Sequence, residues 1–444
     1  MQLTPSDARQ LTDRLLSRSK AEHCAIVING NDSDNLRFAR GSATTNGSRS
    51  DLRVTVTSQF AKRSGSANVS GLDEQALDEA MRRSEDIARE APDNPELLPP
   101  LGPQSYLPGS SYDAATASVR AQGLVSASKP VIDEAIRRKI DVTGFGSARR
   151  GFYAMATSAG LFAYEPHTGA EFTVTARNND GSWSGWAGVS ETRFDRIDTS
   201  RLGRRAIDKA AYTAQPISLA PGKYTVILEP SAVCDFVGFM LWHMNARIAD
   251  EGRSFFSKKG GGNKIGDKLF QDNVTIFSDP ADKLAPEPVF GDDGLPKRRT
   301  VWVENGVLQN LIYPRFWAQQ KGHGPVPWPR SFVMAGGSAS VDDMIRDTKR
   351  GVLVTRLWYI RMLNVSKLVL TGLTRDGNFL IEDGRIVGPA MNFRFNESPI
   401  AVLANVLAIG PTERTRGGES EDSIVAAPPL LVKDFTFSSE SDAI

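Results

Sequence analysis

Four histidines and two cysteines are the chain's whole stock of soft metal ligands: His23, His167, His243, His323, Cys24 and Cys234. A catalytic zinc takes three protein ligands and leaves a fourth position open, and its histidines commonly share one helix face, as in H-E-x-x-H. No two of these histidines stand close enough for that spacing. Cys234 and His243 fall on one predicted helix. Nine positions at about 100° each put them on opposite faces, so they cannot grip one ion together. His23 and Cys24 open an apolar strand, where neighbouring side chains point to opposite faces, so a Cys–His nucleophile pair is not offered there. No G-x-S-x-G elbow occurs. The run Gly260-Gly261-Gly262-Asn263-Lys264-Ile265-Gly266-Asp267-Lys268 has the look of a phosphate cradle. Asp267 stands where the cradle's lysine belongs, and an acid repels phosphate, so the run reads as a flexible loop.

The elements that must position these groups are legible as patterns. Thr4-Pro5-Ser6-Asp7 starts a helix, with a capping hydroxyl and an early proline, and Ala8, Leu11 and Leu15 follow at helical spacing. Cys24–Asn29 and Asp51–Gln59 read as strands, the second with Leu52, Val54 and Val56 alternating against Arg53, Thr55 and Thr57. Leu72–Ala91 is an amphipathic helix. Six prolines between Pro92 and Pro108 mark an extended linker. A second unit follows: a helix near Ala114–Lys139 expected to break at Pro130, strands near 141–148, 152–158, 171–176 and 182–189, and a helix near Ser200–Ala214. Both units run helix, strands, helix, without a residue-level repeat. Ala220-Pro221-Gly222 closes them. Beyond lie a strand Tyr224–Leu228, a helix Ser231–Ala249, the glycine loop, and many short strands broken by Gly turns. Ser398-Pro399 opens a late helix with Ile400, Leu403 and Leu407 on its buried side. The expected architecture is α+β: a 1–97 α/β subdomain, a 98–219 linker and second α/β subdomain, and a β-rich 220–444 domain.

Composition narrows the function classes. The 444 residues carry a formal net charge of +1, so nothing global draws the chain to nucleic acid or an anionic membrane. Local basic pairs such as Arg149-Arg150 read as solvated surface. The tryptophan and tyrosine clusters lack the basic interleaving of a single-strand nucleic-acid binder. No apolar run reaches 18 residues, and the amino terminus lacks a signal-peptide pattern. Two distant cysteines suit a reduced compartment, so a cytoplasmic location is expected.

Four stretches resemble the TldD/TldE (PmbA) family, in its order and near its spacing. The first is Tyr224–Asp250, YTVILEPSAVCDFVGFMLWHMNARIAD, a strand, a break and a helix. The second is Ser254–Asp279, with the glycine loop and a following strand. The third is Phe290–Ala318, FGDDGLPKRRTVWVENGVLQNLIYPRFWA. The fourth is Arg350–Asn396, with the hairpin Gly377-Asn378-Phe379-Leu380-Ile381-Glu382-Asp383-Gly384-Arg385-Ile386 as its most specific part.

The resemblance implies a subunit of a metallopeptidase, and a departure from the family pattern says which. In the zinc-bearing TldD subunit, the first helix carries H-E-x-x-x-H and a later Cys completes the site. The matching window here is about Val237–His243. Only His243 stands as a relic of the motif, and no Cys follows Cys234. That is the pattern of TldE, the partner subunit. The resemblance thus implies no catalytic residues, no metal and no cofactor in this chain. It implies zinc in a TldD-like partner, a heterodimer or else a homodimer, and unfolded peptides cleaved in a chamber between subunits. Peptides are expected to add as a strand on an exposed sheet edge. The alternative is a stand-alone peptide-binding modulator without catalysis, in keeping with the family's label as a modulator of DNA gyrase. A third reading keeps catalysis in this chain through unusual ligands.

Overall fold

The structure, a computed structural model, describes residues 2–419 and 423–441. Its first half is α1 (Pro5–Arg18), β1 (His23–Ala39), β2 (Ser42–Phe60), β3 (Arg63–Ser70), α2 (Glu74–Glu90), then α3 (Ala114–Ala117), α4 (Ala121–Arg138), β4 (Asp141–Thr157), β5 (Phe162–Arg177), β6 (Ser184–Glu191) and α5 (Thr199–Ala210). Thr4 and Asp7 cap α1 reciprocally, as the sequence predicts. The two helix–strand–helix units share one six-stranded sheet, ordered β3-β2-β1-β4-β5-β6, joined through the antiparallel pair β1–β4. Leu11, Leu15, Leu77 and Met81 from α1 and α2 pack on Ile26, Ile28, Val54 and Val56 of one face. Each such side chain contributes roughly 1.5–3 kcal/mol on full burial.

Three expectations shift. The first two strands run well past Asn29 and begin well before Asp51, through polar residues such as Asn31, Asp32 and Ser50. β1 pairs along nearly its whole length with β2 on one side and β4 on the other, which holds both strands extended although apolar alternation has ended. The strands expected at 141–148 and 152–158 are the single strand β4. The helix expected at 114–139 breaks at 118–120, where Arg120 turns extended, and not at Pro130, which sits inside α4. Pro130 and Ser126, whose carbonyl loses its helical partner, both face solvent, so water can take that bond.

Residues 91–113 form no helix or strand, as the prolines predict, yet they lie fixed across the molecule. Arg247 forks onto Glu96 at 2.5 and 2.8 Å, Arg315 donates to the Pro99 carbonyl at 2.8 Å, and the Tyr106 hydroxyl donates to the Gly294 carbonyl at 2.9 Å.

The second half holds β7 (Gly222–Leu228), α6 (Pro230–Trp242), α7 (Ala246–Asp250), β8 (Ile276–Ser278), β9 (Thr300–Glu304), β10 (Val307–Leu308), α8 (Arg315–Gln320), β11 (Phe332–Met334), α9 (Val341–Arg346), β12 (Arg350–Asn364), β13 (Val369–Glu382), β14 (Arg385–Pro389), β15 (Asn392–Glu397), α10 (Pro399–Ala404), β16 (Val406–Ile409), β17 (Glu413–Thr415), β18 (Val425–Ala427) and β19 (Leu430–Ser441). One sheet is ordered β10-β9-β8-β11-β18-β17. The other, β12-β7-β19-β15-β13-β14, closes into a ring because β12 also pairs with β13. The largest core lies between them around α6, with Phe236 against Phe395 and Phe435 at 5.6 and 5.9 Å between ring centres. The late helix α10 ends at Ala404. Leu403 is buried as expected, whereas Leu407 falls on β16 and is exposed.

Candidate functional site

The apolar run Pro-Ser-Ala-Val-Cys-Asp-Phe-Val-Gly-Phe-Met-Leu-Trp forms α6, with Glu229 as its N-cap residue and Pro230 in its first turn. A helix apolar on nearly every side belongs inside a core, and α6 is buried along most of its length. Its last turn emerges: Trp242 is 65% exposed. The helix expected through Ala249 stops there. The backbone of Met244 and Ala246 pairs with Ile312 instead, and Asn245 caps the separate helix α7.

Beside α6 opens a groove of about 990 Å³. Phe239, Trp242, Trp328, Val326, Ile360 and Met362 supply apolar walls. Its polar groups include Asp235, Lys297, Arg330, Arg361 and Glu419. Arg330 pairs with Asp292 at 2.7 Å, and Lys297 pairs with the buried Glu287. Asp235 is 2% exposed and accepts the backbone N–H groups of Gly418 at 2.9 Å and Glu419 at 3.1 Å. Burial pushes its carboxyl up to about 7, against the opposing pull of those two N–H donors. Gly418 must be small: a Cβ there would lie 2.4 Å from the Leu357 carbonyl oxygen. The segment before residue 420 is thus pinned between α6 and β12.

At the amino-terminal end of α6, a charge cluster ties the two halves together. Lys209 of α5 donates to Glu229 at 2.5 Å and to the Thr355 hydroxyl at 2.8 Å, and Arg205 lies 3.4 Å from Glu229. Burial alone would push the Glu229 carboxyl up, but the two cations hold it below the ordinary carboxylate range. Arg205 also pairs with Glu413 at 2.8 Å, and Arg414 and Arg416 pair with Glu191 and Glu171.

His243 is the C-cap residue of α6, half-buried, with its Nδ1 2.7 Å from the Phe239 carbonyl oxygen. His323 stacks on Tyr313 with ring centres 4.1 Å apart. His167 lies on β5, and His23 begins β1. Cys24 and Cys234 are buried and unbridged.

A zinc ion on α6 would have Cys234, Asp235 and His243 to choose from. Asp235 spends both oxygens on backbone N–H groups, and His243 closes the far end of the helix. Among the described residues no group of three or more His, Cys, Asp or Glu is placed to hold a metal ion. These residues do not fit zinc. They fit instead an apolar, peptide-sized groove with a buried carboxyl in its wall.

Asp235, Glu229 and Lys209 escaped the sequence reading. The available signal was a single acid inside an otherwise apolar helix. Nothing local marks Lys209, because its partners lie on β12 and at the start of α6.

Residues 221–439 match the PmbA/TldA metallopeptidase C-terminal domain. A metalloprotease of Methanothermobacter thermautotrophicus is 26% identical over 235 residues, 49% of each chain. A TldD-homologue metalloprotease of Buchnera aphidicola is 24% identical over 173 residues, 35% of each. The chain thus aligns with about half the length of the first of these relatives, and with less of the second. Among solved structures, TldE of Thermococcus kodakarensis superposes with a TM-score of 0.85 at 17% identity, covering 97% of this chain and all of that one. A Thermotoga maritima protein described as a candidate modulator of a DNA gyrase gives 0.84 at 16% identity, with the same coverage. The matched domain, the metalloprotease relatives and a TldE-like fold across nearly the whole chain agree: this protein belongs to the TldD/PmbA metallopeptidase family.

Proposed function

We propose that this chain is the non-metal, TldE-like subunit of a TldD/TldE-type zinc peptidase that degrades unfolded peptides in the cytoplasm. The observation that carries this reading is α6. It lies where the resemblance puts the H-E-x-x-x-H helix, and it presents one buried carboxyl and apolar groove walls in place of three converging ligands. Such a helix can shape a substrate chamber without performing the cleavage. Trp242 and Trp328, 65% and 40% exposed at the rim of the groove, suit a surface covered by a homologous partner. No helix of the described residues is long and apolar enough to cross a membrane.

Metal analysis and peptide cleavage test the reading, on the purified chain alone and with a co-expressed TldD-like subunit. The expected result is no stoichiometric zinc and no cleavage alone, then a stable heterodimer with chelator-sensitive cleavage. Near-equimolar zinc in the lone chain would place catalysis here through unusual ligands. A chain that stays monomeric at micromolar concentration, ignores the partner and still binds peptides would be a free-standing peptide-binding protein.

A further inference from the structure

The proline-rich strap runs between the two halves and over one buried carboxyl. Its Tyr106 hydroxyl donates to the Gly294 carbonyl at 2.9 Å and its Ser110 hydroxyl to the Pro280 carbonyl at 2.9 Å, both on turns of the second half. On its other side, the Thr168 N–H of β5 donates to the Ser111 carbonyl at 2.8 Å, and the Asp113 N–H donates to the Thr168 hydroxyl oxygen at 3.0 Å. Between these ties lies Glu165 of β5, 6% exposed. Its Oε2 accepts the Val289 N–H at 3.0 Å, so this carboxyl also joins β5 to the second half. Its Oε1 has no hydrogen-bond partner among the described residues. Gly109 of the strap lies against that oxygen: a Cβ there would stand 3.4 Å from it. A buried carboxyl oxygen without a donor is unfavourable, and far more so when the group is charged.

We infer that Glu165 is a proton-operated latch: the strap seats over its neutral carboxyl, and ionisation lifts the segment around Gly109 so that water reaches Oε1. The groups that face the carboxyl leave its ionisation uncompensated. Tyr153 stands across from it on β4, and Tyr106 comes from the strap. Burial pushes both hydroxyls up to about 12, so both stay neutral. The turn from 287 to 297 brings Lys297 and Glu287, a buried pair in which one member favours the carboxylate and the other opposes it. Asp292 and Arg330 pair with each other at 2.7 Å. His167, two residues along β5, is held toward neutral by burial and by Arg149. Arg149 stands four residues along the sheet and Arg53 three strands across it, each roughly 13–14 Å away. The strap from Leu107 to Ser111 carries no charge. Burial accordingly pushes the Glu165 carboxyl up to about 7, against the pull of the Val289 N–H and Lys297.

Glu165, His167 and Arg149 belong to the floor of a cavity of about 910 Å³, and Ser111 of the strap belongs to its wall. A strap lifted at Gly109–Ser111 opens that cavity on one side. The seated strap raises the carboxyl from an ordinary value of 4.5 to about 7. Seating is therefore tightest below about pH 4.5 and weakens as pH rises to about 7, after which this group takes nothing more away. A gap of about two and a half units caps the loss at about 300-fold in the seating equilibrium. The latch needs neither a partner subunit nor peptidase activity, so it stands or falls apart from the function proposed above.

Hydrogen exchange of the full chain at pH 5, 6, 7 and 8, corrected for the intrinsic rate at each pH, tests it. The readout is the Asp113 and Thr168 amides, which bond between the strap and β5. Their protection should fall by about tenfold to a hundredfold from pH 5 to pH 8. Glu165→Gln keeps an acceptor for Val289 and carries no charge at any pH, so it should remove most of that fall. His167→Gln removes the nearest other group that titrates in this window and should leave the fall in place. If Glu165→Gln does not fold, wild type and His167→Gln decide. Wild-type protection that is the same at pH 5 and pH 8 overturns the inference. So does an undiminished fall in Glu165→Gln, or the loss of the fall in His167→Gln.

Discussion

Replacing Asp235 by asparagine should change how stability depends on pH. In the native chain the Asp235 carboxyl holds its proton up to about pH 7, against an ordinary value of 3.8. Between those values the folded state binds more protons than the unfolded state, so this group's contribution falls as pH rises through that window. Each unit is worth about 1.4 kcal/mol. About two units lie between pH 5 and the folded value. Wild type should therefore lose about 2–3 kcal/mol from this group between pH 5 and pH 8. The carboxamide of the Asp235→Asn variant stays neutral throughout and resembles the protonated carboxyl in shape. It can still accept one of the two N–H groups from Gly418 and Glu419. Paired urea denaturation curves at pH 5, 6, 7 and 8 read the difference, and all other titrating groups cancel in the comparison. The variant should gain on wild type by that amount as pH rises. A stability difference that stays flat within about 0.5 kcal/mol would show that the two backbone donors outweigh burial. The carboxyl would then be an ordinary ionised cap on the 416–419 segment.

Gly418→Ala should cost about 1–3 kcal/mol, because its Cβ meets the Leu357 carbonyl. A variant as stable as wild type would mean that the segment is not pinned. Lys209→Met should cost about 3 kcal/mol, the lower end for a broken buried pair, since Arg205 remains 3.4 Å from Glu229. A loss below about 1 kcal/mol by urea denaturation would refute that role. His243→Ala should leave cleavage by a reconstituted complex within a few fold, because its imidazole is engaged with its own helix through Phe239. A collapse of activity with circular dichroism unchanged would make His243 functional.

The residues themselves determined what local chemistry controls. Thr4 and Asp7 cap α1 whatever surrounds them. The alternation of Leu52, Val54 and Val56 demands a half-buried strand, and the prolines from 92 to 108 bar any regular element there. The composition of 230–242 commits that helix to a core, and the spacing of the histidines denies it a zinc motif. These follow from bonds and periodicities a few residues long. Tertiary structure decided everything that depends on who lies across the way. Asn31 and Asp32 are strand because β2 and β4 flank them. The helix after Ala114 runs on through Pro130 because solvent can serve the carbonyl that the proline frees. The helix after Pro230 ends at Trp242 because Ile312 claims the next backbone groups. Asp235 becomes a carboxyl pushed up to about 7 only once the core closes around it, while Gly418 and Glu419, arriving from far along the chain, pull the other way. Glu165, His167 and Arg149 meet on one floor only because antiparallel pairing sets β4 against β5 in that register. Register and burial are long-range properties, and no window of the sequence contains them.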